Sequence, residues 1–464
     1  MNSVFGRFSH IHFVGIGGIG MSGIAEVLHN MGFKVSGSDI SENANVKMLR
    51  DMGIKISTGH DEANVEGADV IVYTSAARDD NPELVRARQE RKPVIKRGEM
   101  LSELMRLKFA VAVAGSHGKT TTTSMVAEIV KAAKLDPTIL IGGRLNSTNN
   151  NASYGKSNIM IAEADESDRS FLMLYPSIAV ITNIDHEHME SYKDFDDVKM
   201  SFTEFANMVP FYGTSVLCID NNNVADIIPN ITKRFITYGT KAQADIRAVN
   251  IKKDGFGVSY DAKKGEDILG HIEINLPGDH IVLNSLAALT AAMEMGIEFN
   301  VIAETLKNFS GVQRRMSIRY KSDKYIVIDD YGHHPTEIAT TLKAVREASP
   351  ESSIVVIFQP HRYTRTRDLM SDFAKCFMDA DKLYITDIYA ASEKPIEGIV
   401  AEKLIAEVKN HGFKDVSYLP NLNDFLPNLN EESNDKHTII ITFGAGSITN
   451  FSYSVADYLK ERDK

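Results

Sequence analysis

The 464-residue chain has no tryptophan and only two cysteines, Cys218 and Cys376. Two thiols cannot build a disulfide framework, which favours a reducing, cytoplasmic setting. No apolar run reaches the roughly 20 residues needed to cross a bilayer, so no membrane association is expected. The N-terminal stretch "MNSVFGRFSHIHFVG" lacks a basic segment followed by a long apolar one, and does not read as a secretion signal. Positive charge is the scarcer sign: 51 Lys and Arg stand against 62 Asp and Glu, a formal net charge of −11. Nonspecific nucleic-acid binding is therefore disfavoured. Internal repeats and low-complexity tracts are missing as well. What remains is ordinary globular composition, 43% hydrophobic and 24% charged, at a length that implies about two to four domains.

Three blocks follow one another along the chain. The first opens with an apolar run at 12–15, then "GIGGIGMSGIAEVLHNMGFKVSGSD". The apolar spacing Ile24, Val27, Leu28, Met31 is helical, "FKVSGSD" reads as a second strand, and "ADVIVYTSA" as a third that ends near Ser75. The second block starts near Leu101. "FAVAVAG" reads as a buried strand, with a helix from Thr120 to about Ala133. "SNIMIAEADESD" and "SIAVITNIDHEH" are apolar runs ending in acids and histidines, where open parallel sheets keep their ligands. The third block starts near Val312, with "YIVIDDYGHHPTEIATTLKAVREAS" and "SSIVVIFQPHRYTRTRDLMSDFAKCF" each reading as strand, polar loop and helix; "KLYITDIY" and "HTIIITFGAGSI" supply later strands. Alternating strands and helices imply parallel sheets.

Four sets of residues carry chemistry. Gly15, Gly17 and Gly20 form G-x-G-x-x-G between a strand and a helix, with Gly18 adding to the turn; Asp39 follows the next strand at the offset of a ribose-binding acid. The pattern suits a diphosphate ligand without naming it, and a tight packing turn is the plain alternative. The stretch "AVAVAGSHGKTTTTS" resembles a phosphate cradle in which Val113 occupies the first glycine position. Backbone N–H groups of Gly115, Ser116, His117, Gly118 and Lys119 could wrap phosphate, the Lys119 ammonium could reach the terminal phosphates, and the Thr120 hydroxyl could meet Mg²⁺. Glu163 and His188 could serve the same metal, or be solvated loop residues. Arg314, Arg315, Arg362, Arg365 and Arg367 cluster in the third block, with the arginines of "QPHRYTRTRD" in a loop after a strand. Guanidinium forks in an acidic chain argue for an anionic small substrate, against the alternative of a surface ion-pair network. His333 and His334 read more simply as hydrogen-bonding than as metal-binding.

The ordered set "HFVGIGGIGMSGIAEVL", "GSHGKTTTT", "EADESD", "TNIDHEHMESY", "GVQRRM", "DDYGHHPTE" and "QPHRYTRT" resembles the Mur ligase family of bacterial cell-wall synthesis, across nearly the whole chain. The resemblance implies an α/β protein of three domains built on parallel or mostly parallel sheets. These are a Rossmann-like UDP-substrate-binding domain (1–100), a P-loop ATPase domain (101–312) and a Rossmann-like C-terminal domain for the amino-acid substrate and nucleotide closure (313–464). It implies a shortened G-x-x-G-K-T cradle, so Val113 is no defect. ATP would phosphorylate the lactyl carboxylate of UDP-N-acetylmuramate, and the L-alanine amine would displace phosphate from the acyl phosphate. By resemblance Lys119, Glu163 and His188 are catalytic, and Thr120, Glu163 and His188 surround Mg²⁺. Gly115 to Thr121, Asn284, Arg315 and Asp330 contact ATP. Gly15, Gly17, Gly18, Gly20, Asp39 and Ser75 line the UDP site, and His333, Arg362 and Arg365 hold substrate carboxylate. Three positions depart from the family pattern: Ile281 for asparagine, which puts a nucleotide contact in question, Glu187 for aspartate, and Ser447 for an acid. A sister ligase that attaches a recycled tripeptide, a dinucleotide-dependent oxidoreductase and a nonenzymatic nucleotide switch stay open, as does the choice between monomer and weak dimer.

Overall fold

The computed structural model describes residues 4–142, 152–391, 393–432 and 437–462. The chain divides into two compact units. One comprises residues 1–250, 261–272 and 283–309; the other comprises 251–260, 273–282 and 310–464. The architecture is α/β, with three domains built on mostly parallel sheets.

The first unit opens with a five-stranded parallel sheet, ordered Lys55–Thr58, Lys34–Asp39, His10–Val14, Val70–Tyr73, Val94–Lys96. His10–Val14 is buried at every position, as a central strand covered on both faces must be. The strand order reverses on either side of it, and its carboxyl end is the place where doubly wound sheets hold ligands. The glycine turn leaves from that end, and the helix Ile19–Asn30 follows. Two strands were not legible in the sequence, Lys55–Thr58 and Val94–Lys96. Both are short edges carrying lysine and exposed or half-exposed positions, so neither shows an apolar run. The strand at Val70–Tyr73 is thus fourth in chain order, not third.

The same unit carries a second parallel array, with Phe109–Ala114 between Ile178–Ile181 and Ile159–Glu163, flanked by Thr214–Cys218 and Thr138–Leu140. The helix Lys119–Ala132 begins one residue before the expected start. The helix Arg97–Arg106 runs across residue 100, the expected first boundary.

In the second unit a six-stranded sheet is ordered Ser317–Lys321, Tyr325–Asp330, Thr438–Phe443, Ser353–Phe358, Lys382–Ile385, Val416–Tyr418. Only the edge strand Ser317–Lys321 is antiparallel. Ile326, Ile328, Val356, Phe358, Ile439 and Ile441 belong to one buried cluster, and Val327, Val355, Ile357 and Ile440 to another. That alternation is the period of a strand with a core on each face.

One buried charge in the first unit stands apart from any site. Glu26 on the helix Ile19–Asn30 is 8% exposed, and its Oε2 has no hydrogen-bond partner among the described residues. Burial pushes its carboxyl up to about 7. A carboxyl raised in the folded state stabilises fully below its unfolded value near 4.5 and loses that contribution as pH rises through about 7. Glu26→Gln should therefore gain on the parent as pH climbs from 5 to 8, by about 1–3 kcal/mol. Thermal unfolding of both proteins across that range measures it; a gap that does not change with pH contradicts the assignment.

Candidate active site

Val113 lies inside the strand Phe109–Ala114 and is fully buried. The expected cradle is the loop after that strand, Gly115 to Gly118, so position 113 lies outside it and needs no glycine. Gly118 adopts φ +83° and a Cβ there would stand 2.5 Å from Asn284 Oδ1, so its backbone requires glycine twice over. The next parallel strand braces the loop. Asn183 Oδ1 accepts from His117 N (2.8 Å) while Asn183 Nδ2 and Thr182 Oγ1 donate to His117 O (2.9 and 2.6 Å). Asp185 N donates to Ser116 Oγ (2.8 Å), and Asp185 Oδ2 lies 3.0 Å from His117 Nε2. Thr121 is half-buried in the first helical turn.

Lys119 Nζ donates to Gly115 O (2.6 Å), Ser116 O (3.0 Å) and Glu166 Oε1 (2.7 Å). Burial alone would lower the ammonium's pKa; Glu166, Glu163 and Glu187 outweigh it and hold the group above its ordinary value. Burial lifts the Glu166 carboxyl to about 7, with Lys119 opposing. Thr120 Oγ1 donates to Glu163 Oε2 and Oε1 (3.0 and 3.2 Å), and Gly142 N donates to Glu163 Oε2 (2.9 Å). His188 stands with Glu166 and Glu187, ligand atoms all within 4.8 Å. The expected trio thus separates into a Thr120–Glu163 pair and a His188–Glu166–Glu187 group, both around Lys119. Glu166 was missed in the sequence; its signal was the third acid of "EADESD". Glu187, a departure from the family pattern, is a full member of the group.

A cleft of about 370 Å³ in the same unit is lined by Gly18, Gly20, Ser75, Arg97, Glu163 and Asp165, among others. Gly15 and Gly17 serve the turn itself. Gly15 adopts φ +80°, and a Cβ on Gly17 would fall 2.6 Å from Asn43 Nδ2. Asp39, expected as a ribose-binding acid, also braces the turn. It is 8% exposed, its Oδ2 accepts from Gly17 N (2.8 Å) and its Oδ1 from Ser41 N and Oγ (both 3.0 Å). It grips the turn from behind. Arg97, not singled out in the sequence, enters the cleft directly after the edge strand Val94–Lys96.

In the second unit Asp330 is 3% exposed and accepts from Met316 N (2.8 Å) and Gly332 N (2.7 Å), fixing the loop that carries Arg315. Burial raises its carboxyl to about 6 against the opposing Arg315. Arg315 Nη1 donates to Glu337 Oε1 (3.0 Å), and His333 N to Glu337 Oε2 (3.1 Å). Arg362 has φ +73° and caps the short helix Tyr363–Asp368, so Arg365 lies on a helix, not in the expected loop. Thr364 anchors that turn through N and Oγ1 on Glu393 (3.1 and 2.6 Å). His361, missed in the sequence, has its ring 6.0 Å from that of His333 and stacks on Tyr389. Ile281 is 5% exposed, a buried apolar side chain, and Ser447 Oγ accepts from Gln359 Nε2 (3.4 Å).

Comparison with known proteins places these features in context. Residues 10–109 match the family model described as Mur ligase family, catalytic domain; 113–292 match Mur ligase middle domain; and 314–446 match Mur ligase, glutamate ligase domain. The chain is 50% identical over 461 residues to UDP-N-acetylmuramate–L-alanine ligase of Geotalea daltonii, covering 99% of this chain and 100% of that one. It is 51% identical over 460 residues to the protein of the same name from Geotalea uraniireducens, covering 98% and 99%. The solved UDP-N-acetylmuramate–alanine ligase MurC of Thermotoga maritima superposes with TM-score 0.81 at 30% identity, over 98% of this chain and 99% of that one. A murein peptide ligase of Psychrobacter arcticus shares the fold, with TM-score 0.69 at 22% identity over 97% and 98%.

Burial pushes the His361 imidazole down to about 4, with His333, Arg365 and Arg362 adding to the effect. A neutral ring can accept at Nδ1 from Arg365 Nη1, 3.3 Å away. The His361 ring resonance, followed by NMR against pH, should titrate near 4. A midpoint at 6 or above would mean that the ring is charged when Arg365 faces it.

Proposed function

Because the chain belongs to the Mur ligase family, we propose that it joins L-alanine to the lactyl carboxylate of UDP-N-acetylmuramate at the expense of ATP. It is an acid–amino-acid ligase forming a C–N bond in peptidoglycan precursor synthesis. The observation that carries this reading is the shared cleft. Gly18 and Gly20 of the first phosphate turn line it together with Glu163, and Glu163 is bonded to Thr120 of the second cradle. An acceptor anchored by its diphosphate at one turn can thus present its carboxylate to a nucleotide held at the other.

The roles follow. Gly15, Gly17, Gly18, Gly20 and Ser75 shape and line the acceptor's site, with Asp39 holding the turn. Gly115 to Thr121 and Asn284 receive ATP, and Lys119 exchanges Glu166 for the terminal phosphates. The carboxylate oxygen attacks the γ-phosphorus and ADP leaves. The neutral amine nitrogen of alanine then attacks the acyl carbon, the C–O bond to phosphate breaks, and the nitrogen loses a proton to solvent. Most of the protein's work is positioning and charge neutralisation. Arg315 and Asp330 serve the nucleotide; His333, Arg362 and Arg365 serve the amine donor's carboxylate, for which a guanidinium fork is the fitting partner.

A divalent cation fits the acidic end of this site. Glu166 Oε2 is buried without a hydrogen-bond partner among the described residues, and its carboxylate stands with Glu187 and His188, carboxylates being ligands that Mg²⁺ accepts. Ligands for Mg²⁺ would come from the Thr120–Glu163 pair or from the His188–Glu166–Glu187 group, and the ion when bound would offset the charge of the phosphates.

Lys119→Ala should fold yet lose ADP formation on the order of 10²- to 10³-fold; near-parental rates in the folded variant remove Lys119 from the chemistry. With the parent, ADP release should require UDP-N-acetylmuramate and L-alanine together. Offered glycine, serine, D-glutamate and the recycled tripeptide in parallel, the enzyme should prefer L-alanine over glycine by at least ~1 kcal/mol, the scale of one methyl contact. A preference for the tripeptide reassigns the chain to the sister ligase, and turnover without an amine donor rejects ligation.

A further inference from the structure

Arg97 occupies a position that its own helix disfavours. It is the first residue of Arg97–Arg106, where the helix dipole is positive and a cation is unwelcome. Its side chain is 19% exposed. Nη2 is pinned by Asp165 Oδ2 at 2.9 Å and Ser170 Oγ at 3.3 Å, with Asp168 Oδ2 at 3.8 Å. The other edge of the guanidinium lies over Gly20, where a Cβ would come within 3.1 Å of Nη1 and 3.2 Å of Cδ. Gly20 has no positive φ to require glycine; a side chain there would instead crowd the close passage of Arg97, which would have to give by a few tenths of an ångström. Across that passage begins the helix Ile19–Asn30, whose cap Gly18 offers no side-chain hydrogen bond. Two positive poles, a guanidinium edge and a helix N-terminus, thus face one spot in the cleft, and Arg97 is the one basic residue among the described residues lining it. Asp165 and Asp168 offset the guanidinium from its Nη2 side, while its Nη1 edge and the helix N-terminus together suit an anion between them.

We propose that Arg97 binds the diphosphate of the acceptor nucleotide, and that Gly20 is glycine to let it do so. This rests on the acceptor being a uridine diphosphate sugar, as argued above. The diphosphate is preferred over the acceptor's carboxylate because Arg97 sits at the first glycine turn, whereas the carboxylate must reach the second cradle at Lys119.

Calorimetric titration with UDP, UMP and uridine tests it. The parent should bind in that order of strength. Arg97→Met should lose affinity for UDP on the order of 10- to 100-fold while uridine binding stays as it was, and Arg97→Lys should recover only part of the loss because it lacks the fork. Gly20→Ala should show the same phosphate-selective loss, and the double variant should be no worse than Arg97→Met alone. Equal losses for UDP and uridine, or undiminished UDP affinity in Arg97→Met, overturn the assignment of Arg97 alone. A parent that binds no uridine nucleotide, UDP-N-acetylmuramate included, overturns the preceding functional reading and this one with it.

Discussion

A lysine ammonium buried among carboxylates is the constraint around which the first unit's site is organised. Lys119 begins the helix after the proposed phosphate cradle, so its backbone N–H lies at a helix N-terminus while its side chain is a cation that burial penalises. Glu166 compensates that charge at 2.7 Å, and the carbonyls of Gly115 and Ser116 take further protons of the ammonium. Those carbonyls then face Lys119, and the loop's conformation is tied to the lysine's position. The bracing of the loop by Thr182, Asn183 and Asp185 locks the same geometry from the far side.

Both phosphate turns use one building rule. Each carries at least one glycine with positive φ, and each is gripped by a polar side chain from the strand next door. Asp39, ending Lys34–Asp39, takes the N–H of Gly17; Asn183, just past Ile178–Ile181, takes the N–H of His117. A parallel sheet brings adjacent carboxyl ends together, so the neighbouring strand is the nearest source of such a grip. Preorganisation of this kind spares the ligand the entropy of ordering a loop.

The large divisions of the fold were legible because they rest on long signals: buried apolar strands, helical spacing, and glycines at turns. The shortened cradle was legible as a motif, but the reason for Val113 required seeing it buried in mid-strand. Asp39 was placed at the end of its strand, but its bond to the Gly17 N–H was not legible, because spacing cannot show which groups a carboxylate faces. Arg97, Glu166 and His361 escaped for a common reason. Each matters through a partner far away in sequence (Asp165, Lys119 and Tyr389), and no local pattern marks such a residue. The helix at Tyr363–Asp368 escaped because Thr364 and Glu393 stabilise it across a gap of 29 residues.

An excess of acid sits oddly with a protein that handles phosphates and carboxylates, yet in each unit the cations proposed to meet ligand are already paired. Lys119 is held by Glu166, Arg97 by Asp165 and Arg315 by Glu337. Pairing fixes where each cation points and removes the penalty of leaving it buried alone. It also weakens the site's attraction for a lone anion, since an incoming carboxylate or phosphate must compete with a carboxylate already in place. A ligand of higher charge than the resident acid, or one bringing a cation that claims the displaced acid, has the advantage in that exchange. Selectivity for a polyphosphate over the many simple anions around it then follows from the acids themselves, and the negative balance of the sequence becomes part of how the site discriminates.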